Sequence, residues 1–459
     1  MQFLDRRPEL SVLEEACGTR RPELVILYGR RRIGKTALVR ELSNHVRLIY
    51  FIVNYEDREK AIEDLTLQLT RQVKLPFKPK FENFSDLYAA LPKLWDGKVV
   101  VAIDEFQRLH GTGGVTELQA AWDSGVLGRG ISLILLGSSV GMIERLGMSY
   151  EGPLYGRATK ILKLGPLSFK DSREFMARLD EEDKVRAYGI FGGVPAYLSL
   201  LNSEASIREN LLTLVLAPGA PLKEEPMNLV STETREPSRY IQVLEAVADG
   251  ASTLGEIADR SRIPHTEISK YVRVLEKELD LVQREYPLLE ERRGRARYRL
   301  KDAFARFWFR FIRPQLSLLE LGQERQVLRD VIDRLDEHVA PTFEAVAMEH
   351  MLVLRNEGRL AFGKLGKWWS KDAEIDVVAI DEKESTAYFA EAKWAGKPVG
   401  VDVLRNLRAK AGSFPWRKES RKNMFLIYSR SGFKFPREED VFLFSLHDIA
   451  RDVERARSR

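Results

Sequence analysis

The sequence predicts an α/β chain of about three separately cored units, and three observations carry that reading. At 459 residues the chain is about three times the length of a typical domain. Through about residue 165, short apolar runs alternate with amphipathic stretches, the pattern of a parallel sheet with helices on both faces. Further on, three short helical periods and a hairpin pattern outline a winged helix-turn-helix over 236–301, and a second compact α/β unit occupies 341–459. The composition, 44% hydrophobic and 31% charged, supplies enough apolar material for real cores and argues against a disordered chain. No apolar run approaches the roughly 18–20 residues that span a bilayer, and MQFLDRRPEL is charged where a secretory signal would be apolar. A cytoplasmic protein with no membrane contact is therefore expected. A single cysteine, Cys17, excludes an internal disulfide and a cysteine-based zinc cluster, and the six histidines are scattered, so carboxylates are left as metal ligands. The net charge of +5 is too small to name a partner, and local charge has to decide that question.

In the first unit, LVILY over 24–28 reads as a buried strand that stops at glycine, and ALVRELSNHV after Thr36 has helical spacing. Further buried strands are expected at 48–53, 99–103 and 131–136. Between the first strand and its helix lies GRRRIGKT, in which Gly29, Arg30, Arg31, Arg32, Ile33, Gly34, Lys35 and Thr36 fit G-x-x-x-x-G-K-[ST], with Ala37 following. The glycines let backbone N–H groups face phosphates at the positive end of the helix. Lys35 would reach the β and γ phosphates of ATP, and Thr36 would ligate Mg²⁺. The strand VVVAID delivers Asp104 and Glu105 to the carboxyl edge of the sheet, where ligands of such folds sit. Asp104 would hold Mg²⁺ through water, and Glu105 would orient or activate the attacking water. The next strand ends in Gly137, Ser138 and Ser139. Ser138 is a candidate sensor of the γ phosphate, set against plain turn chemistry.

After Leu164 helix signals take over, and 217–237, with four prolines among polar residues, reads as a linker. Helices are expected at 240–248, 254–260 and 265–278, with Thr253 and Glu256 as a capping box for the second. The third would be the recognition helix, presenting Lys270 and Arg273. A hairpin over 281–300, turning near Gly294, concentrates Arg292, Arg293, Arg295 and Arg297, a density that attracts phosphate. Nucleic-acid contact is the leading expectation for this unit, and an intramolecular or protein-docking role is the other. A helical joint is expected at 302–340, its aromatic residues Phe304, Phe307, Trp308, Phe309 and Phe311 packing a core.

The last unit reads as helix 343–354, strands 374–380 and 387–393, helix 401–411 and strand 424–428. Side chains two apart on a strand share a face, so Glu391 and Lys393 point together, and hairpin pairing can bring Asp376 beside them. Two carboxylates so placed could bind Mg²⁺, and the lysine could position or help deprotonate a water for attack on a phosphodiester.

FLDRRPEL, GRRRIGKT, IDEFQRL, LLGSS and LYGRATKILKLGPLS together resemble the archaeal-type ATPases of the AAA+/STAND division of P-loop NTPases, over about residues 1–210. The resemblance implies an ATPase unit over 1–220, with a helical extension from about 165. It also implies a phosphate-sensing or finger role for Arg157 and a GxP element near the adenine at Gly193 and Pro195; bottom-up, Arg157 reads equally as a surface arginine after a turn, and GGVP as a helix break. A finger acting in trans requires a homo-oligomer. The Asp376…Glu391-x-Lys393 set, with GKWWSKDAEIDVVA and EAKW, resembles the PD-(D/E)xK restriction-endonuclease-like domain over about 341–430. That family implies a helical glutamate, Glu344 or else Glu349, as a further metal ligand, and this chain departs from it in having Ile375 before Asp376. The expected protein is an ATPase coupled to Mg²⁺-dependent cleavage of nucleic acid, DNA being favoured. The alternative is a STAND-like nucleotide-gated switch that binds DNA or a protein through its winged helix without cutting.

Overall fold

The computed structural model describes residues 4, 6–19, 21–73, 75, 78–95, 97–128, 130–234, 236–290 and 296–457. They form two compact units, Met1–Pro166 with Lys277–Asp280, and Leu167–Glu276 with Leu281–Arg459.

The first unit is built on five parallel strands: β1 (Leu24–Tyr28), β2 (Leu48–Ile52), β3 (Val99–Asp104), β4 (Ile131–Gly137) and β5 (Lys160–Lys163), in the order β2-β3-β4-β1-β5. The three central strands are buried along their whole length, as strands covered on both faces must be, whereas the edge strands β2 and β5 alternate. That alternation hides β5 from a search for continuous apolar runs. Helices Lys35–Leu42, Arg58–Val73, Gly114–Asp123 and Val140–Gly147 belong to the same unit, and the loops after β1, β3 and β4 open at one carboxyl edge.

The second unit begins at Leu167, so the helical extension from about 165 packs with the carboxy-terminal half. Its first residue is tied down by Gly193: the Leu167 N–H donates to the Gly193 carbonyl at 2.7 Å, and a Cβ on Gly193 would lie 1.9 Å from the Leu167 carbonyl oxygen. The expected linker at 217–237 is not one. It contains helix Glu225–Glu233, which buries Glu225, Pro226 and Val230. Two of its prolines stand in the first turns of helices Glu225–Glu233 and Pro237–Ala248, where the missing N–H costs nothing. Helices Pro237–Ala248, Leu254–Ser261 and Ile268–Lys277 follow, the second opened by the Thr253–Glu256 capping box. Strands β6 (Val282–Glu285) and β7 (Arg297–Leu300) pair antiparallel.

The expected joint at 302–340 is corrected as well. A single 33-residue helix, Glu324–Asn356, runs through Pro341, and its buried Val327, Val331, Leu335, Val339, Phe343, Val346 and Met351 form one continuous stripe. Behind it lies a five-stranded sheet of β8 (Lys364–Trp369), β9 (Glu374–Asp381), β10 (Thr386–Lys393), β11 (Lys422–Ser429) and β12 (Val441–Ser445), in the order β12-β11-β10-β9-β8. The β8–β9–β10 pairs are antiparallel and the β10–β11–β12 pairs parallel. Ile375, Val378, Phe389, Leu404, Leu407, Phe414 and Phe425 fill the core beneath helix Val401–Ser413. Strands β8 and β12 and the last helix, Leu446–Arg457, are additions to the expected elements. Among the described residues no helix is long and apolar enough to cross a membrane.

Candidate functional site

The loop after β1 depends on its two glycines. Gly29 has φ +151° and so little room that a Cβ would sit 2.3 Å from the Leu164 carbonyl oxygen, while Gly34, at φ +96°, caps helix Lys35–Leu42. Lys35 is buried, and its Nζ donates to the carbonyls of Gly29 (2.7 Å) and Arg30 (2.9 Å). Thr36 Oγ1 donates to Asp104 Oδ2 at 3.0 Å, and the Tyr50 hydroxyl from neighbouring β2 donates to the same oxygen. Burial, and then this bond to Asp104, push the Tyr50 phenol well above its ordinary range. Around Glu105, which is in the left-handed region at φ +54°, Ser138 Oγ stands 2.9 Å from both carboxylate oxygens, and Gln107 Nε2 donates to one of them. Arg30 is half-buried, Ile33 is buried, and Arg31, Arg32 and Ala37 are exposed. The structure therefore brings Lys35, Thr36, Asp104, Glu105 and Ser138 to one edge. Thr36 and Asp104 are oxygen donors within hydrogen-bond distance, a fit for Mg²⁺.

Sequence reasoning missed Arg6, Tyr50 and Gln107. Arg6 is buried, and its Nη2 donates to the Ile33 carbonyl within the phosphate loop (2.9 Å) and to the Gly165 carbonyl (2.6 Å). Only the location of Arg6, inside FLDRRPEL, was available as a signal.

Arg157 is elsewhere. The Thr159 N–H bonds the Leu24 carbonyl at the amino end of β1, whereas the phosphate loop leaves its carboxyl end, about 16 Å away for five residues of strand. There Arg157 makes a bidentate pair with Asp123, both contacts 2.7 Å, and this pairing lowers the Asp123 carboxyl below its ordinary range. Arg157 therefore stands away from its own chain's phosphate loop, where the sequence had left open whether it acts in cis or in trans. Pro195 belongs to the second unit, half-buried at the start of the four-residue helix Pro195–Leu198.

In the carboxy-terminal sheet, β9 and β10 pair with Val377 opposite Ala390, which carries Asp376 next to Glu391. The Ala392 N–H donates to Asp376 Oδ2 at 2.9 Å. Lys393 Nζ donates to Glu391 Oε1 at 2.6 Å, and Lys410 on helix Val401–Ser413 reaches both Glu391 oxygens at 3.1 and 3.0 Å. Glu344 accepts from Lys367 Nζ at 2.5 Å. Burial, then the negative charges of Glu344 and Glu391, push the Asp376 carboxyl up to about 7. Lys393 is held above its ordinary value by Glu391, Asp376 and Glu344, which outweigh its burial. Glu349 is not part of this cluster: its carboxylate accepts the Phe169 N–H at 2.7 Å, and burial pushes it up to about 7. Three carboxylates and three lysines are thus interleaved, and among the described residues no three carboxylate or histidine side chains stand close enough together to hold a metal ion as a set. Lys367 and Lys410 had no local sequence signal.

Arg292, Arg293 and Arg295 lie outside the described residues. Lys270 and Arg273 are exposed on helix Ile268–Lys277, with Lys270 Nζ 5.4 Å from the Tyr271 ring centre. Arg297 is committed within the second unit: it donates to Glu374 Oε2 at 2.8 Å and stacks 4.7 Å from the Trp369 ring centre. The Leu288 N–H bonds the Lys367 carbonyl at 2.7 Å, and the Leu288 side chain packs on the sheet's core. The expectation that Arg297 stands free for nucleic acid is corrected, because a planar guanidinium gains more here from one carboxylate and one indole face than from solvent. Arg297→Ala is expected to lower the stability of the protein by about 1 kcal/mol in denaturant melts, whereas a free arginine would leave the melt unchanged.

Comparison with known proteins places this geometry. Residues 3–201 match an ATPase domain predominantly from Archaea, and residues 308–405 match a family of archaeal and bacterial proteins of unknown function. The uncharacterized protein MJECL04 of Methanocaldococcus jannaschii is 32% identical over 397 residues, covering 85% of this chain and 87% of that protein. An uncharacterized ATP-binding protein of the same organism is 38% identical over 48 residues, 10% of this chain and 81% of that one. Among solved structures, the Walker-type ATPase of Pyrococcus abyssi superposes with a TM-score of 0.52 at 23% identity, covering 67% of this chain and 96% of its own. Residues 3–201 are thus an ATPase domain built on a P-loop sheet.

Proposed function

Because the chain belongs to the family of the Methanocaldococcus jannaschii protein MJECL04 and carries an archaeal-type ATPase domain, we propose that it uses ATP to control Mg²⁺-dependent cleavage of a nucleic-acid phosphodiester, in DNA before RNA. The observation that carries the cleavage half is the grouping of Asp376, Glu391 and Lys393 on paired strands, with Glu344 near enough to raise the Asp376 carboxyl.

At the ATPase end, Lys35 and the N–H groups of the loop hold the phosphates, Thr36 and Asp104 hold Mg²⁺, and Glu105 orients water. Ser138 senses the γ phosphate, and Pro195 belongs to an element near the adenine. Arg157 meets a phosphate only on a neighbouring copy, which makes a homo-oligomer part of this reading. At the other end the paired Asp376 and Glu391 would hold Mg²⁺, which when bound would supply positive charge to the phosphodiester, with Glu344 outside that pair on Lys367. Lys393 positions the water and Asp376 fixes the strand end through the Ala392 N–H. Helix Ile268–Lys277 is the recognition helix of a winged helix-turn-helix, offering Lys270 and Arg273 to the backbone of DNA.

A second reading, a nucleotide-gated switch of STAND type that does not cut, is favoured by one observation: Glu391 is already gripped by two lysines and Glu344 by a third. The test is incubation of plasmid, branched DNA and RNA with Mg²⁺, with and without ATP, using wild type and Lys393→Ala. Metal-dependent cutting by wild type, reduced at least about tenfold in the variant, is expected. No cutting of any form would leave the switch as the surviving reading.

A further inference from the structure

We propose that Gln107 is the positioning residue for Glu105, holding its carboxylate in place throughout ATP turnover. This rests on the reading that Glu105 prepares the attacking water. Gln107 lies in the short helical turn Phe106–Leu109 after β3 and is only 6% exposed. A buried primary amide carries two donors and an acceptor that all need partners. Here the Nε2 donates to Glu105, while the buried Oε1 has no hydrogen-bond partner among the described residues. An apolar side chain of similar length would fill the same space without stranding a carbonyl oxygen, so the donor is what this position requires.

The neighbouring strand end is shaped around the amide. A Cβ on Gly137 would stand 2.5 Å from Gln107 Oε1 and 2.0 Å from Ile143 Cδ1, so only glycine at the end of β4 leaves the amide its place. Glu105 itself has a left-handed backbone, φ +54°, which fixes where its side chain leaves the strand. Two groups then grip the carboxylate, Ser138 from the residue just after β4 and Gln107 from its own turn.

These two grips are not equivalent. The Ser138 hydroxyl has one proton, and it can give it to Glu105 or to a γ phosphate but not to both. When that proton turns to the phosphate, Gln107 is the donor that remains on Glu105. The carboxylate then loses the serine and gains freedom to accept from water, without losing its orientation. A buried amide has no competing ligand, which suits it to the permanent half of the grip.

The experiment uses the full chain with Mg²⁺ and ATP, and compares wild type, Gln107→Met, Gln107→Leu, Glu105→Gln and Glu105→Gln with Gln107→Met. The methionine preserves side-chain length and fills the pocket, so it keeps the test meaningful where the leucine variant folds poorly. Fluorescent ATP analogue binding reports the nucleotide site, and single-turnover hydrolysis of radiolabelled ATP reports the chemical step. Gln107→Met is expected to lower kcat at least about tenfold while changing KM and analogue affinity less than about twofold. In the Glu105→Gln background it is expected to cause no further loss, because a positioning residue acts only through the group it positions. Unchanged turnover in Gln107→Met, or an equal further loss in the Glu105→Gln background, overturns the proposal and leaves Gln107 as packing. Full turnover in Glu105→Gln alone instead removes the assignment of Glu105, and this proposal with it.

Discussion

Alanine in place of Lys35 is expected to remove ATP turnover, with a loss of at least about 10³-fold, while the protein stays folded. Lys35 is buried at the mouth of its loop, and its ammonium is held by the carbonyls of Gly29 and Arg30 at 2.7 and 2.9 Å. Those two carbonyls belong to the segment that would wrap the phosphates, so the ammonium waits within reach of the position where negative charge will lie. Each charge-assisted contact contributes about 1.5–3 kcal/mol, and its worth increases as charge builds on the γ phosphate during transfer. Arg31 and Arg32, in the same loop, are exposed, whereas the Lys35 ammonium is buried. The backbone is secured independently by the Gly29 and Gly34 conformations and by Arg6 on the Ile33 carbonyl, so the fold survives the substitution. Phosphate release at fixed protein concentration is the measurement, and a wild-type rate would remove the nucleotide assignment.

The second large effect has two signs. Asp376→Asn is expected to abolish nucleic-acid cleavage and at the same time raise the melting temperature at neutral and alkaline pH. Burial and the charges of Glu344 and Glu391 lift the Asp376 carboxyl from 3.8 to about 7. Between those values the folded protein binds the proton more readily than the unfolded chain, so stability falls as pH rises from about 4 to about 7, and the whole penalty is present above 7. At about 1.4 kcal/mol per tenfold change in the protonation equilibrium, the penalty is on the order of 4 kcal/mol. Asparagine removes the charge yet retains an oxygen for the Ala392 N–H, which now sits 2.9 Å from the aspartate. Melts at pH 8 are expected to rise by about 4–10 °C over wild type and to converge near pH 4. A shift of the same size at both pH values would show that packing, not ionisation, had changed. Such a gain in stability with a loss of chemistry is the usual signature of a functional carboxylate.

The nucleotide site was legible because its information is local. GRRRIGKT, the strand before it and the helix after it are contiguous, and each glycine answers a backbone requirement that can be read one residue at a time. Asp104 and Glu105 were legible for the same reason, at the end of six buried residues. The pairing of Asp376 with Glu391 followed from strand alternation, a period-2 rule that needs only the hairpin register. What escaped depends on the choice of partner across the fold. Lys410 is one lysine among several on an amphipathic helix, and nothing along the chain says that it will reach Glu391. Arg297 looked like one of a set of free arginines until Glu374 and Trp369, more than 70 residues away, claimed it. Strand β8, KLGKWW, lacked the continuous apolar run of a central strand because it is an edge, whereas β12, VFLFS, carries such a run and was passed over at the chain's far end. Pro341 invited a boundary, and the apolar stripe on either side of it prevailed.

That long helix has a consequence for how such proteins can be cut and recombined. At 33 residues it is a beam about 50 Å long. Asp336 on it holds Arg186 and Arg430, Glu344 holds Lys367, and Glu349 holds the backbone of Phe169. The early helices, the beam and the sheet are therefore riveted to one another at points only about one to two turns apart. A fragment starting at residue 341 would begin mid-beam, with half of an apolar stripe laid bare and its rivets to Arg186 sheared off. The family match over residues 308–405 runs straight across that position. The block that can be cut out whole is then the beam with everything fastened to it, and it takes in the last part of the ATPase-domain match, from Leu167 to residue 201.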